Sequence, residues 1–276
     1  RVGGHASMVA GGMRSARAPP PLPRLLLLLL APQISAGAGG GPYGEVTTSG
    51  RSSNIAFHQG ITREAKFKAV GHQGITMWMT GLSGSGKATI SILLEKALVQ
   101  RQPRPYFVYR LDADMLRKGL NSDLGFSPAD RAENVRRIAE TALLFAEAGA
   151  IVVATLVSPH QADREYAREL HRNASLPFLE VFVDAPLEVV QQRDPKGLYA
   201  ARATGQVTGL PGIDTPYEKP EAPDLHLRTY EFTAVECVNA ILRKLDDVGL
   251  HLPRKFRHLE EEPERDSSSA CDKPSH

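Results

Sequence analysis

Cysteine is scarce in this chain. Two residues in 276, Cys237 and Cys271, are too few for a disulfide framework and show no metal-ligand spacing, which favours a reducing compartment. An excess of one charge is missing as well. The 33 basic and 31 acidic side chains leave a formal net charge of +2, so nothing demands nucleic acid or a charged membrane surface as partner. No apolar run is long enough to cross a bilayer as a helix: the leucine stretch Leu25 to Leu30 stops far short. There is no internal repeat. What the chain does have is 42% hydrophobic residues, enough for a core, and a length suited to one α/β domain with tails.

Three regions follow from composition. Residues 1–50 are rich in Ala, Gly and Pro, and four arginines (Arg1, Arg14, Arg17, Arg24) precede the first acidic residue, Glu45. An acid-poor, arginine-bearing start resembles an organelle transit peptide, the leucine run could instead be a signal-peptide core, and a plain disordered extension accounts for the same composition. A cytoplasmic or an organellar location fits. Residues 51–250 carry the folded domain. Residues 251–276 are polar, charged and Ser-rich, the composition of a disordered tail.

Within the domain, apolar runs alternate with helical periodicity. Strands are expected at Ile75–Thr80, Tyr106–Leu111, Ile151–Leu156 and Phe178–Val183, with a short last one at His226–Arg228. Helices are expected from Ala88 to Gln100, from the Ser127-Pro128 start to Ala148 before Gly149, from a Ser158-Pro159 start, and from Thr233 to Val248. Residues 194–222, rich in Gly, Pro and charge, read as a mobile lid. Strands separated by helices predict a three-layer α/β fold, a parallel sheet covered by helices on both faces.

Between the first strand and its helix stand Gly81, Leu82, Ser83, Gly84, Ser85, Gly86, Lys87, Ala88 and Thr89. This nearly fits G-x-x-x-x-G-K-[ST], whose glycines let backbone N–H groups face an anion while the lysine reaches the β- and γ-phosphates. The helix behind it directs its positive end at the same anion. ATP with Mg²⁺ is the expected co-substrate. One position departs: Ala88 stands where a hydroxyl would coordinate Mg²⁺, and Thr89 points about 100° away on a helix. A water could serve there, since Mg²⁺ keeps several.

Further motifs follow in order: Asp112-Ala-Asp114-Met-Leu-Arg117, Leu124 to Arg131 with Phe126 inside it, Glu133-Asn134, Val157-Ser158-Pro159, Phe182 to Pro186, Arg193 to Tyr199, and Gly212-Ile-Asp214. The series resembles adenylyl-sulfate kinase (APS kinase), from about residue 53, with Asn54 to His58, to about residue 250. That resemblance implies a P-loop kinase that phosphorylates the 3′-hydroxyl of adenosine 5′-phosphosulfate (APS) to give PAPS, and that is commonly a homodimer. It implies Lys87, Asp114 and Ser158 as catalytic candidates. Substrate contacts would come from Asp112, Asp114, Arg117, Phe126, Arg131, Asn134, Val157, Ser158, Lys196 and Leu210. Two carboxylates at a strand end beside a phosphate loop can hold Mg²⁺ or take a hydroxyl proton, and Asp112 is the metal candidate. Guanidinium forks suit the phosphosulfate, and Phe126 would stack on adenine. The family's Gly and Asn beside the paired aspartates are Ala113 and Met115 here, two lid cations are Ala200 and Ala201, and a second stacking aromatic gives way to Leu210-Pro211. With Ala88, these departures support an alternative: a catalytically impaired relative that binds APS or PAPS in a regulatory role.

Overall fold

The computed structural model describes residues 60–100 and 105–250. The N-terminal extension, the Asn54 to His58 element, Cys271 and the tail lie outside the described residues. Five parallel strands run β1 Ile75–Thr80, β2 Val108–Asp112, β3 Ile151–Thr155, β4 Phe178–Asp184 and β5 Leu225–Arg228, in the spatial order β2-β3-β1-β4-β5. The central β1 is buried at all six positions, as a strand covered on both faces must be, which is why it reads as an unbroken apolar run.

Alternation along β1 sorts the two helical layers. Ile75, Met77 and Met79 pack with Ile90, Leu94 and Leu98 of α2 (Lys87–Val99) and with Val238, Ile241 and Leu245 of α8 (Ala234–Asp247). Trp78 packs on the other face with Val135, Ile138 and Ala142 of α4 (Pro128–Glu147) and Ala167 of α5 (Gln161–Asn173). This is the expected three-layer fold. Helix α4 starts as its Ser-Pro signal predicts: the Ser127 hydroxyl accepts from Asp130 N, and Pro128 fills the first turn. Helix α8 is closed by a reciprocal capping box between Thr233 and Glu236. Among the described residues no helix is long and apolar enough to cross a membrane.

Several elements differ from expectation. A helix α1, Arg63–Val70, precedes β1. It has no buried residue and is held by Arg63, which donates to Ala174 O at 2.6 Å and pairs with Glu147 at 3.0 Å. Short helices α3 (Ala113–Leu116) and α6 (Leu187–Arg193) follow β2 and β4. The expected lid contains α7, Leu198–Ala203, and its Tyr199 and Leu210 are buried with Ala185 and Val190 in a small third core. The Ser158-Pro159 start is incorrect. Helix α5 begins at Gln161 with His160 at its cap position, while Ser158 takes a left-handed φ of 38° and turns its hydroxyl inward. There Trp78 Nε1 donates to it at 3.2 Å and it donates to Thr80 Oγ1 at 2.9 Å, buried partners that outweigh a solvent-facing cap.

Candidate active site

The carboxyl end of the sheet, where ligands of open α/β folds bind, opens into a cavity of about 490 Å³. The phosphate loop forms its base. Gly81, Gly84 and Gly86 all have positive φ, at 150°, 77° and 101°, and a Cβ on Gly81 would lie 2.2 Å from Val183 O. Only glycine lets the chain turn there against the sheet. Gly86 then caps α2, whose first residue is Lys87. The Lys87 ammonium folds back onto its own loop, donating to Gly81 O at 2.9 Å and Leu82 O at 2.7 Å. Burial pushes its pKa down to about 7; the Lys196 charge pushes the same way, and Asp114 and Asp112 oppose it.

Ser83, Gly84, Gly86, Lys87, Ala88 and Thr89 line the cavity, and Asp112, Asp114, Val157 and Lys196 face it from the other elements. Asp112 caps α3: one oxygen accepts from Asp114 N at 3.0 Å and Met115 N at 3.4 Å, the other from Arg110 at 3.2 Å and Thr155 Oγ1 at 3.3 Å. Its carboxylate is thus spent on holding the strand end. Asp114 is the freer carboxylate, exposed and ion-paired with Lys196 from the lid.

A second cluster stands outside that cavity lining. The Phe126 ring is 65% exposed. The Arg117 guanidinium lies 4.3 Å from its centroid and that of Arg131 5.4 Å. Backbone carbonyls fix both: Arg117 donates to Leu124 O and Gly125 O at 2.8 and 2.9 Å, Arg131 to Phe126 O and Gly209 O at 3.1 and 3.0 Å. Burial, with Arg117 nearby, lowers the pKa of Arg131. An exposed ring flanked by two positioned cations suits an anionic aromatic ligand.

Three expected contacts are turned inward. Asn134 is 6% exposed and accepts from Asn121 Nδ2 at 3.1 Å. Leu210 is buried in the third core, and the Ser158 hydroxyl is committed to Trp78 and Thr80 rather than to the cavity. Conversely, Arg193, Thr229 and Phe232 line the cavity without having been singled out. Arg193 opens the Arg-Asp-Pro-Lys run, and Thr229 directly follows the last strand, positions that a closer reading of element ends would flag.

A protein-family model described as adenylylsulphate kinase matches residues 73–228. The adenylyl-sulfate kinase of Saccharomyces cerevisiae is 48% identical over 194 residues, covering 70% of this chain and 95% of that protein. The Penicillium chrysogenum adenylyl-sulfate kinase is 46% identical over 211 residues, covering 74% and 99%. Among solved structures, the Mycobacterium tuberculosis APS kinase in complex with AMPPNP and APS is 44% identical with a TM-score of 0.60, covering 63% of this chain and 98% of that one. A phosphate loop, paired aspartates and an arginine-flanked aromatic on one scaffold, with these matches, make the chain a member of the adenylylsulphate kinase family.

Proposed function

We infer that this protein transfers the γ-phosphoryl group of ATP to the 3′-hydroxyl of APS, producing PAPS and ADP. The observation that carries this reading is the presence of two sites of different chemistry linked by α3, which carries Asp114 at the cavity and ends at Arg117: a phosphate loop with Lys87, and the Phe126 ring flanked by Arg117 and Arg131. The first suits a triphosphate, the second an adenine carrying a phosphosulfate. Asp114 faces the same cavity as Lys87 and is the candidate acceptor for the hydroxyl proton, once Lys196 releases it to pair with a phosphate oxygen. Lys87 would leave its loop carbonyls for the β- and γ-phosphates. Closure of the lid over them would exclude water.

The donors at the cavity fit a Mg²⁺ held mainly by phosphate oxygens and waters, with Asp114 as the protein's contribution, since the Asp112 oxygens are engaged at the strand end; Ala88 offers no oxygen from its side chain. Bound there, the ion would neutralise charge developing on the phosphates. Ser158, Asn134 and Leu210 support the site from inside, and the relatives' family suggests a homodimer, which sedimentation equilibrium tests. The function itself is tested by coupled ADP release. Turnover requiring ATP, Mg²⁺ and APS together is expected; folded protein releasing no ADP in an APS-dependent way refutes the reading.

A further inference from the structure

A phosphate loop binds anions only if its N–H groups point inward, and in a planar trans peptide that sends each carbonyl outward. Outward carbonyls need partners of their own. In this loop every one has them. Gly81 O and Leu82 O accept from Lys87 Nζ, and Leu82 O also from Ser85 N at 3.1 Å. Gly84 O accepts from Arg193 at 3.4 Å, Ser85 O from Thr229 Oγ1 at 2.8 Å, and Gly86 O from Ile90 N at 3.0 Å. The remaining carbonyl, Ser83 O, accepts from the Tyr199 hydroxyl at 2.9 Å.

Tyr199 is a residue of the lid, and it does not line the cavity. Its ring is 6% exposed in the third core, against Val190 and Leu210, and burial pushes its phenol pKa up to about 12, so it remains a donor through the physiological range. Asp194 holds it in turn, accepting from Tyr199 N at 3.2 Å and Ala200 N at 3.0 Å. The Ser83–Gly84 peptide is therefore oriented from outside the site: its carbonyl is drawn toward Tyr199, so the Gly84 N–H points the opposite way, and Gly84 lines the cavity.

We propose that Tyr199 is a positioning residue for nucleotide phosphates, acting through Ser83 O to aim the Gly84 N–H, so that the lid segment sets the affinity of the phosphate loop without touching its ligand. The proposal rests on the reading of this loop as the ATP site, and it does not need APS turnover. The test is Tyr199→Phe, which keeps the ring in its core and removes one donor. Dissociation constants for ADP and for inorganic tripolyphosphate are measured by calorimetry on the full chain, scaled to the folded fraction. Both should rise by the same factor, about three- to tenfold, the usual consequence of losing one hydrogen bond. Affinities changed by less than about twofold, whatever happens to the melting temperature, would assign Tyr199 to packing alone and overturn the proposal. So would weakened ADP binding with tripolyphosphate unaffected, because the phosphates would then not be the part that is lost. If the protein shows no APS-dependent turnover, the kinase reading falls while these ADP measurements still decide the role of Tyr199.

Discussion

The half-buried lysine of the phosphate loop should make ATP binding a proton-uptake reaction. Without nucleotide, Lys87 is held near a pKa of about 7, against 10.5 for a free lysine, chiefly by burial and secondarily by Lys196. About nine in ten of the sites should then be neutral at pH 8, half at pH 7 and one in ten at pH 6. A triphosphate arriving at the loop favours the ammonium and restores an ordinary, higher pKa. Binding at pH 8 should therefore take up close to one proton, about 0.9. ATP affinity should fall as pH rises above about 7, approaching tenfold per pH unit. Titration calorimetry in buffers of different ionisation enthalpy reads the uptake directly as the slope of observed enthalpy against buffer enthalpy. At pH 8 the γ-phosphate of ATP is already ionised, so its own titration does not contribute. Lys87→Met should abolish the slope. A slope near zero in the parent protein, or an equal slope in the methionine variant, refutes the reasoning. The sign for stability follows from the same shift. Between pH about 7 and 10.5 the unfolded chain binds a proton that the folded one refuses, so this group makes stability without nucleotide rise with pH across that window.

Phe126→Ala should raise KM for APS about five- to hundredfold, the range for losing one base–aromatic stack, and leave KM for ATP unchanged; equal effects on both would move Phe126 out of the acceptor site. Ala88→Ser restores a hydroxyl at the end of the loop and should raise Mg²⁺-dependent turnover by about ten- to a hundredfold if the missing ligand limits the rate; an unchanged rate, measured by coupled ADP release, means that water already serves. Arg164 is 2% exposed and donates to Glu180 at 2.7 Å, Ser158 O at 2.8 Å and Glu218 O at 2.7 Å. Arg164→Met removes the buried partner of Glu180 and leaves it only Arg168, at 3.0 Å, and should cost up to about 3–5 kcal/mol, a fall in melting temperature on the order of 10 °C; a shift of about 1 °C or less would show that Arg168 alone neutralises Glu180.

How much of this could be read beforehand depended on how local each signal was. The burial of β1 shows in six apolar or Thr positions, and the start of α4 in two residues, because both are decided by neighbours in sequence. The same Ser-Pro pair at 158–159 failed as a helix start. Its serine hydroxyl is bound by Trp78 and Thr80, about 80 positions away in the chain, and no local rule carries that. Helix α7 was hidden by the Gly, Pro and charge around it; its order comes from Tyr199 reaching Ser83, a contact across 116 positions. Helix α1 buries no residue and so shows no apolar stripe; Arg63 holds it to Ala174 and Glu147. On the site, the loop and both aspartates were legible as motifs. The inward turn of Asn134 and the added lining by Arg193, Thr229 and Phe232 depend on the assembled sheet edge.

The departures from the family's pattern gain meaning from where they stand. Ala88 and Ala113 line the cavity. Met115 and Ala200 are exposed and outside its lining, and Leu210 is buried in the third core. Loss of a lid cation at Ala200 or Ala201 removes long-range charge from a solvent-facing segment, where screening makes each charge worth little. A lost oxygen at residue 88 is different in kind, since under the proposed function it removes a fixed ligand at the end of the loop where Mg²⁺ and the phosphates would meet. Lys87, Arg193 and Lys196, the cations that do line the cavity, are all present. Of the two substitutions that line the cavity, Ala113 only adds a methyl group where the family has Gly, so the energetic weight falls on Ala88. Mg²⁺ affinity, rather than APS or ATP affinity, is the quantity that Ala88 should govern.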